Sequence, residues 1–281
     1  MRLRDDWISE QGGVLPRHRL EAWGNTAHEI RTAVAKGGLE PVRHGWYATP
    51  GADADVVRAV AAGGALTCVS VLRRHGVWSL DRRLHVATGR RGLLRPLCDT
   101  VVCPAGERRS TPVVAVCDLD AAIQCAARCC PAEELLVLLE SVVNLQLRSH
   151  EQLECLLVTA PRRVQRILQR MAPSESGTET MVRSRLEARG IKVRSQVQIG
   201  DIGRVDLLVG TSLVIEVDSL AHHTSAIAYE KDRERDRRLR ARGYTVIRLS
   251  YHQVVHRWDE VEPDLLHLIA MRAHRQRVEA A

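Results

Sequence analysis

Four carboxylates in the last hundred residues stand where they could do chemistry together: Glu179, Asp206, Glu216 and Asp218. Asp206 interrupts the apolar run 204–209, and Glu216 and Asp218 interrupt 213–218; Gly210-Thr211-Ser212 separates the two runs. A three-residue hairpin loop pairs positions summing to 422 and sets Asp206 opposite Glu216. Alternation by two then puts Asp218 on the face of Glu216. Carboxylates converging on one buried sheet face repel, and burying them unpaired costs several kcal/mol. A divalent cation removes that cost, and oxygen-only donors suit Mg²⁺ or Mn²⁺. The chemistry of such a site is phosphodiester hydrolysis: a phosphoryl oxygen is polarised, a water acidified and the leaving oxyanion stabilised. The competing reading is a set of surface acids on an exposed sheet face, balanced by Arg204 and the arginines downstream. The apolarity of residues 213–217 speaks against an open edge.

The elements that must position these acids follow from local pattern. Residues 178–189 read as a helix stopped by Gly190, with Glu179 on the side of Val182 and Leu186, so that an acid points at the core. Residues 191–199 alternate as a strand, and Asp201-Ile202-Gly203 turns it into the hairpin of the two acidic runs. Residues 226–242 read as a helix whose many arginines form a salt-bridged solvent face, Asp232 with Arg235 and Asp236 with Arg240. Arg235, sharing a face with Leu239, is the one expected to reach inward toward a phosphate. Residues 244–249 read as the next strand and 252–273 as a closing helix packed through Val254, Val255, Trp258, Leu265, Leu266 and Ile269.

A family resemblance rests on the order of these pieces. Glu179, Ser195-Gln196, Val205-Asp206-Leu207, Val214-Ile215-Glu216-Val217-Asp218 and His222 come first; Asp232-x-x-Arg235-x-x-x-Leu239-x-x-x-Gly243-x-x-Val246-Ile247-Arg248 follows. The composite resembles the PD-(D/E)XK nuclease superfamily, in its very-short-patch-repair-like branch, over about residues 174–262. The resemblance implies Mg²⁺ held by Asp206 and Glu216 with the Val217 carbonyl as a further ligand. It also implies that Glu179 acts through water and that Asp218 and His222 complete the site. The superfamily's usual Lys two residues after the second acid is Asp218 here, so His222 is the expected substitute for that cation. Gln196 is placed to orient a water from the neighbouring strand, and His223 reads as a bystander. The family's Gly after the acidic triplet is Ser219, which touches no ligand.

At the other end, residues 16–23 read as a helix opened by Pro16. Thr26-x-x-Glu29 is a capping box that starts another, with Ile30, Ala33 and Val34 buried and Gly37-Gly38 as its stop. Residues 39–49 then alternate and turn at His44-Gly45. Helix, helix and basic hairpin make a winged helix-turn-helix, with the capped helix in the major groove and the hairpin on the backbone. His28, Arg31 and Thr32 on the helix, and Arg43 and His44 on the wing, are the candidate DNA contacts. A small α+β domain packed on the rest of the chain is the alternative. With Gly12-Gly13, Leu20 and Leu39-x-x-Val42-Arg43-x-Gly45-x-Tyr47, this stretch resembles the N-terminal domain of AbiEi-type antitoxin regulators, continuing through residues 65–76 and His85-Val86. That resemblance implies an often autoregulatory DNA-binding winged helix.

Charge and length set the frame. The 281 residues carry a net charge of +7, and its distribution is uneven. Residues 1–95 hold 15 basic against 9 acidic residues, 96–172 hold 8 against 9, and 173–281 hold 18 against 16. The excess permits a polyanionic partner, DNA. Three segments are expected: a winged helix over 1–95, a mainly helical connector over 96–172 and a nuclease-like domain over 173–281, with the Pro/Ser/Gly-rich stretch 172–177 as linker. The longest charge-free apolar run, 59–72, is shorter than the roughly 20 residues of a membrane span, and the charged start is unlike a signal sequence. A cytoplasmic, nucleoid-associated protein is expected; a homodimer is compatible with this reading, and no partner protein is indicated.

Cysteines 68, 98, 103, 117, 125, 129, 130 and 155 read as reduced thiols serving as small core residues. Cys125 and Cys129 share a helical face and Cys98-x4-Cys103 is another close pair, but neither has the CxxC spacing that would favour zinc. The fold class is α+β to α/β: an N-terminal winged helix, a helical connector and a C-terminal restriction-endonuclease-like mixed sheet flanked by helices. The function read from it is a metal-dependent DNA endonuclease targeted by its winged helix, in repair or defence. The alternative is a DNA-binding transcriptional regulator or antitoxin-like protein with an inactive nuclease fold.

Overall fold

The computed structural model describes residues 1–89, 98–104, 113–218 and 226–278, the side chains of 104 and 226–232 excepted. His222 and His223 lie outside the described residues. The chain forms two compact units, residues 1–131 with 152–165 and residues 132–151 with 166–281.

The first unit begins with α1 (Asp5–Glu10), β1 (Val14–Pro16), α2 (Arg17–Ala22), α3 (Ala27–Ala35), β2 (Glu40–Arg43) and β3 (Trp46–Ala48). The three strands pair antiparallel in the order β1-β3-β2, with Leu15 opposite Tyr47 and the β2–β3 turn at His44-Gly45. The capping box is complete: the Thr26 hydroxyl accepts the Glu29 N–H and the Glu29 carboxylate accepts the Thr26 N–H. Leu15, Leu20, Ile30 and Leu39 form the core beneath α3, and Ala33 and Val34 pack against it. Gly37 leaves the helix with φ +72°, a conformation that costs a glycine little. β1 is unexpected, because three residues ending in proline show no alternation; an edge strand tolerates Pro16.

α4 (Ala54–Ala61), β4 (Ala65–Leu66), α5 (Cys68–Arg74), β5 (Leu84–Thr88), β6 (Thr100–Pro104) and α6 (Leu119–Cys129) complete this unit around a second sheet in the order β4-β5-β6. The second unit begins at α7 (Ala132–Asn144); α8 (His150–Leu156) and α9 (Arg162–Gln169) fall at the divisions of the chain between units. The expected connector 96–172 is therefore divided: β6 and α6 are built into the first unit, and α7 into the second.

The second unit continues with α10 (Gly177–Ala188), β7 (Val193–Ile199), β8 (Gly203–Val209), β9 (Leu213–Asp218), α11 (Ala226–Ala241), β10 (Thr245–Ser250), α12 (Tyr251–His256) and α13 (Trp258–Ala270). Its sheet runs β10-β9-β8-β7, an antiparallel meander to which β10 adds parallel to β9 after the α11 crossover. This is the mixed α+β arrangement expected. The hairpin loop has three residues, and Leu207 faces Ile215, Leu208 faces Val214 and Val209 faces Leu213, the register read from the sequence. Ile199, Ile202, Val205, Leu208, Val214, Leu239 and Val246 form the buried cluster on which α11 sits.

Three expectations are corrected in this unit. The stretch 172–177 is bound within it, the Ala172 N–H donating to Glu140 Oε1 at 2.8 Å and the Ser174 hydroxyl to the Ser176 carbonyl at 2.7 Å. The closing helix is two helices: α12 opens on its own Ser250/Gln253 capping box, and the chain breaks at Arg257 (φ −133°) before α13. On α11 the expected pair of Asp236 with Arg240 is replaced, Asp236 meeting Arg248 at 2.9 Å, while the Asp232 side chain lies outside the described residues. Arg238 and Arg242 reach Asp201, and Arg235 turns inward as expected.

Candidate functional site

Asp206, Glu216 and Glu179 meet because three elements converge. Asp206 and Glu216 stand one step beyond the last pair of the β8–β9 ladder, Leu207 with Ile215. With the ladder ended there, the Val217 N–H donates to Asp206 Oδ2 at 2.9 Å. Glu179 lies in the first turn of α10, whose N-cap Ser176 accepts the Glu179 N–H at 3.2 Å. Its carboxylate accepts the Glu175 N–H at 3.0 Å and the Gln196 side-chain amide at 2.7 Å. Gln196 bridges from β7, where its φ of +53° is left-handed and its position opposite Asp206 is skipped by the β7–β8 ladder. Such a conformation costs a non-glycine residue about 1–3 kcal/mol and collects at functional sites.

Burial dominates the electrostatics. Glu179 is 4% exposed and Glu216 6%. Burial and the adjoining Asp206 push Glu216 up to about 8, against the pull of Arg235 and Arg248. Burial also raises Asp206, opposed by the Val217 N–H and by a hydrogen bond shared with Glu216. Glu179 is raised by burial and then by Asp206, while the Glu175 N–H, Ser176 and Gln196 hold it down. Each carboxyl thus carries a cost of ionisation that a cation would relieve.

Two arginines supply part of that charge. Arg235 donates to Glu216 Oε1 at 2.5 Å and to the Arg204 carbonyl at 2.6 Å, while its buried Nε–H has no acceptor among the described residues. Arg248 of β10 stands beside Glu216 in the parallel register and lies 3.3 Å from Asp218. Asp218 is exposed, at the end of β9 on the face of Glu216. A cleft of about 450 Å³ opens beside the site, with Glu140, Glu175, Gln196 and Arg204 in its wall.

What holds α10 in place is a buried ion pair. Arg183, 1% exposed, pairs with Glu140 of α7, and Glu140 also accepts the Thr180 hydroxyl at 2.6 Å and the Ala172 N–H at 2.8 Å. Arg183 further reaches Glu187 at 3.2 Å. Glu179, one turn before Arg183, is fixed by the same anchor.

Of the site residues expected from sequence, Glu179, Gln196, Asp206, Glu216, Val217, Asp218 and Arg235 fall in one region. The three carboxylates Glu179, Asp206 and Glu216 do not bring one oxygen each within 4.8 Å of one another, so the pair Asp206–Glu216 is the unit a cation would bridge. The donor set fits a divalent cation: two neighbouring carboxylates, both raised by burial, with a third behind Gln196. Glu140 and Arg183 carry no signal in the sequence, and Arg248 stands in the family pattern without a role of its own. Arg248 sits two residues beyond Val246 on an alternating strand, but its place beside Glu216 follows only from the parallel pairing.

The candidate DNA contacts of the first unit separate by exposure. His28, Arg31 and His44 are exposed and Thr32 is half-buried. Arg43 lies over the Trp46 ring, 5.0 Å from its centroid, with its Nε and Nη2 buried and without acceptors among the described residues. The expected free wing cation is thus partly spent on packing.

Residues 179–269 match the family model REase_MTES_1575, a restriction-endonuclease-like family. The match begins at Glu179 and takes in every acid of the site together with Arg235 and Arg248. It supports a restriction-endonuclease-like C-terminal domain and nuclease activity in general, of a kind that typically uses divalent metals. No curated protein matches the chain. No described helix is long and apolar enough to cross a membrane.

Proposed function

We propose that this protein is a DNA endonuclease that hydrolyses phosphodiester bonds with a divalent cation, Mg²⁺ or Mn²⁺, held by Asp206 and Glu216 and the Val217 carbonyl. The observation that carries the reading is the buried Asp206–Glu216 pair at the open end of the β8–β9 ladder, within the stretch matched by a restriction-endonuclease-like family. When bound, the cation would polarise the scissile phosphoryl oxygen and acidify a water. The Val217 N–H orients Asp206. Gln196 orients Glu179, and Glu179 and Gln196 together position the attacking water. Arg235 and Arg248 supply the positive charge that the Asp218 position lacks, and the unpartnered Nε–H of Arg235 is a donor that a phosphate oxygen can take. Asp218, exposed at the end of β9, belongs to the rim of the site.

DNA is brought to the site by a winged helix. Its support is the element order α1-β1-α2-α3-β2-β3 with sheet order β1-β3-β2, and the exposed His28 and Arg31 on α3 and His44 on the turn. A second reading is favoured by one contact. Arg235 already neutralises Glu216 without a metal, which suits a DNA-binding regulator with an inactive nuclease fold.

Two assays on the same protein separate these readings: a gel shift, and nicking of single- and double-stranded DNA with Mg²⁺ or Mn²⁺. The endonuclease reading expects both binding and metal-dependent nicking, with Arg31→Ala weakening both. Binding without nicking under any of these conditions would leave the regulator.

A further inference from the structure

In the first unit, four thiols distant in sequence come together. The Sγ atoms of Cys68, Cys103, Cys125 and Cys129 all lie within 4.8 Å of one another, and Cys125 and Cys129, one turn apart on α6, are separated by 3.8 Å. A tetrahedral zinc with Zn–S bonds of about 2.3 Å places its sulfurs about 3.8 Å apart, whereas a disulfide needs about 2.05 Å. We propose that Cys68, Cys103, Cys125 and Cys129 hold one tetrahedral zinc ion as a closed structural site.

Three features support it. The ligands come from three elements, the start of α5, strand β6 and helix α6, so the ion would staple them at a place where the sheet has only short strands. Cys68 is held at φ +51°, a left-handed conformation that a cysteine used only as a small core residue does not require. The ring of buried His85 lies with Nδ1 3.6 Å from Cys103 Sγ and Nε2 3.0 Å from Asp81 Oδ2. That is the arrangement in which a carboxylate-tethered imidazole orients a metal ligand from behind. On binding, each thiol gives its proton to solvent and its sulfur forms one bond to the ion. Four protein ligands leave no open position, so the site is structural rather than catalytic.

The test uses the full chain, purified without chelator. Elemental analysis is expected to find about one zinc per chain, retained on dialysis and released when a mercurial reagent blocks the thiols. Exchange with Co²⁺ is expected to give the intense visible bands of a tetrahedral tetrathiolate. Cys129 is only half-buried, so Cys129→Ser should keep the circular dichroism of the wild type while losing that spectrum. His85→Gln should weaken Co²⁺ binding about 10–100-fold. Cys155→Ser, at an exposed position outside the cluster, should change nothing. A wild-type chain that retains no zinc and gives no tetrathiolate spectrum with Co²⁺ would overturn the proposal, as would a disulfide among the four, detected by mass. Because the wild type alone decides these outcomes, a cluster variant that failed to fold would not rescue the idea.

Discussion

Glu216 meets two opposing demands, since Arg235 draws its carboxylate into an ion pair while burial and Asp206 resist its charge. Burial prevails, and the group stands near 8 instead of its ordinary 4.5. Between those values the native protein holds a proton that the unfolded chain releases, so stability must fall as pH rises through that window. Metal-free wild type is therefore expected to lose melting temperature from pH 5 to pH 9 relative to Glu216→Gln, by about 2–4 °C for each kcal/mol of this linkage. Parallel melting curves for the two proteins would contradict the assignment. Gln196 has a different part: its bond to Glu179 and its left-handed backbone position the acid. Gln196→Ala is expected to lower kcat about 10–100-fold with KM for DNA little changed, as removing a supporting partner does. A rise in KM with kcat intact would assign Gln196 to DNA binding instead.

Among the elements, α10 depends on a single buried ion pair. Glu140→Ala would remove the buried partner of Arg183 and leave it only the more exposed Glu187 at 3.2 Å, a loss expected to cost up to about 3–5 kcal/mol. Denaturant unfolding measures it, and a cost under 1 kcal/mol would show that α10 is held by its apolar face alone. The hairpin that carries Asp206 and Glu216 was readable because its runs are apolar, its loop is three residues long and alternation by two leaves one register. The capping box of α3 was readable because Thr26 and Glu29 are local. What escaped depends on contacts between distant residues. Arg248 stands beside Glu216 only once β10 is known to pair parallel to β9, and the partner of Arg235 lies on another element, far from it in sequence. Gln196 gives no sign of positive φ, since glycine is the residue that signals it. The thiol cluster draws on positions 68, 103, 125 and 129, of which only the last two are close in sequence, and spacing rules do not detect it.

At the scale of the whole molecule, charge and chemistry are partitioned along the chain. Residues 1–95 carry 15 basic against 9 acidic residues, while 173–281 are nearly balanced at 18 against 16. Several of the arginines in the second stretch are committed to Glu216, Asp201, Asp218 and Asp236. DNA affinity should therefore depend on salt mainly through the N-terminal stretch, and Arg31→Ala should flatten the slope of log affinity against log salt by about one unit. An unchanged slope would remove α3 from the interface. The central claim is that Asp206 and Glu216 form a metal-dependent nuclease centre. It is tested most directly by nicking of supercoiled plasmid across a Mg²⁺ titration, with wild type beside Asp206→Asn and DNA binding checked for both. The account predicts nicking that appears only with metal and falls to background in the variant while binding is retained. Equal nicking by the two proteins, or metal-independent nicking by the wild type, would contradict it.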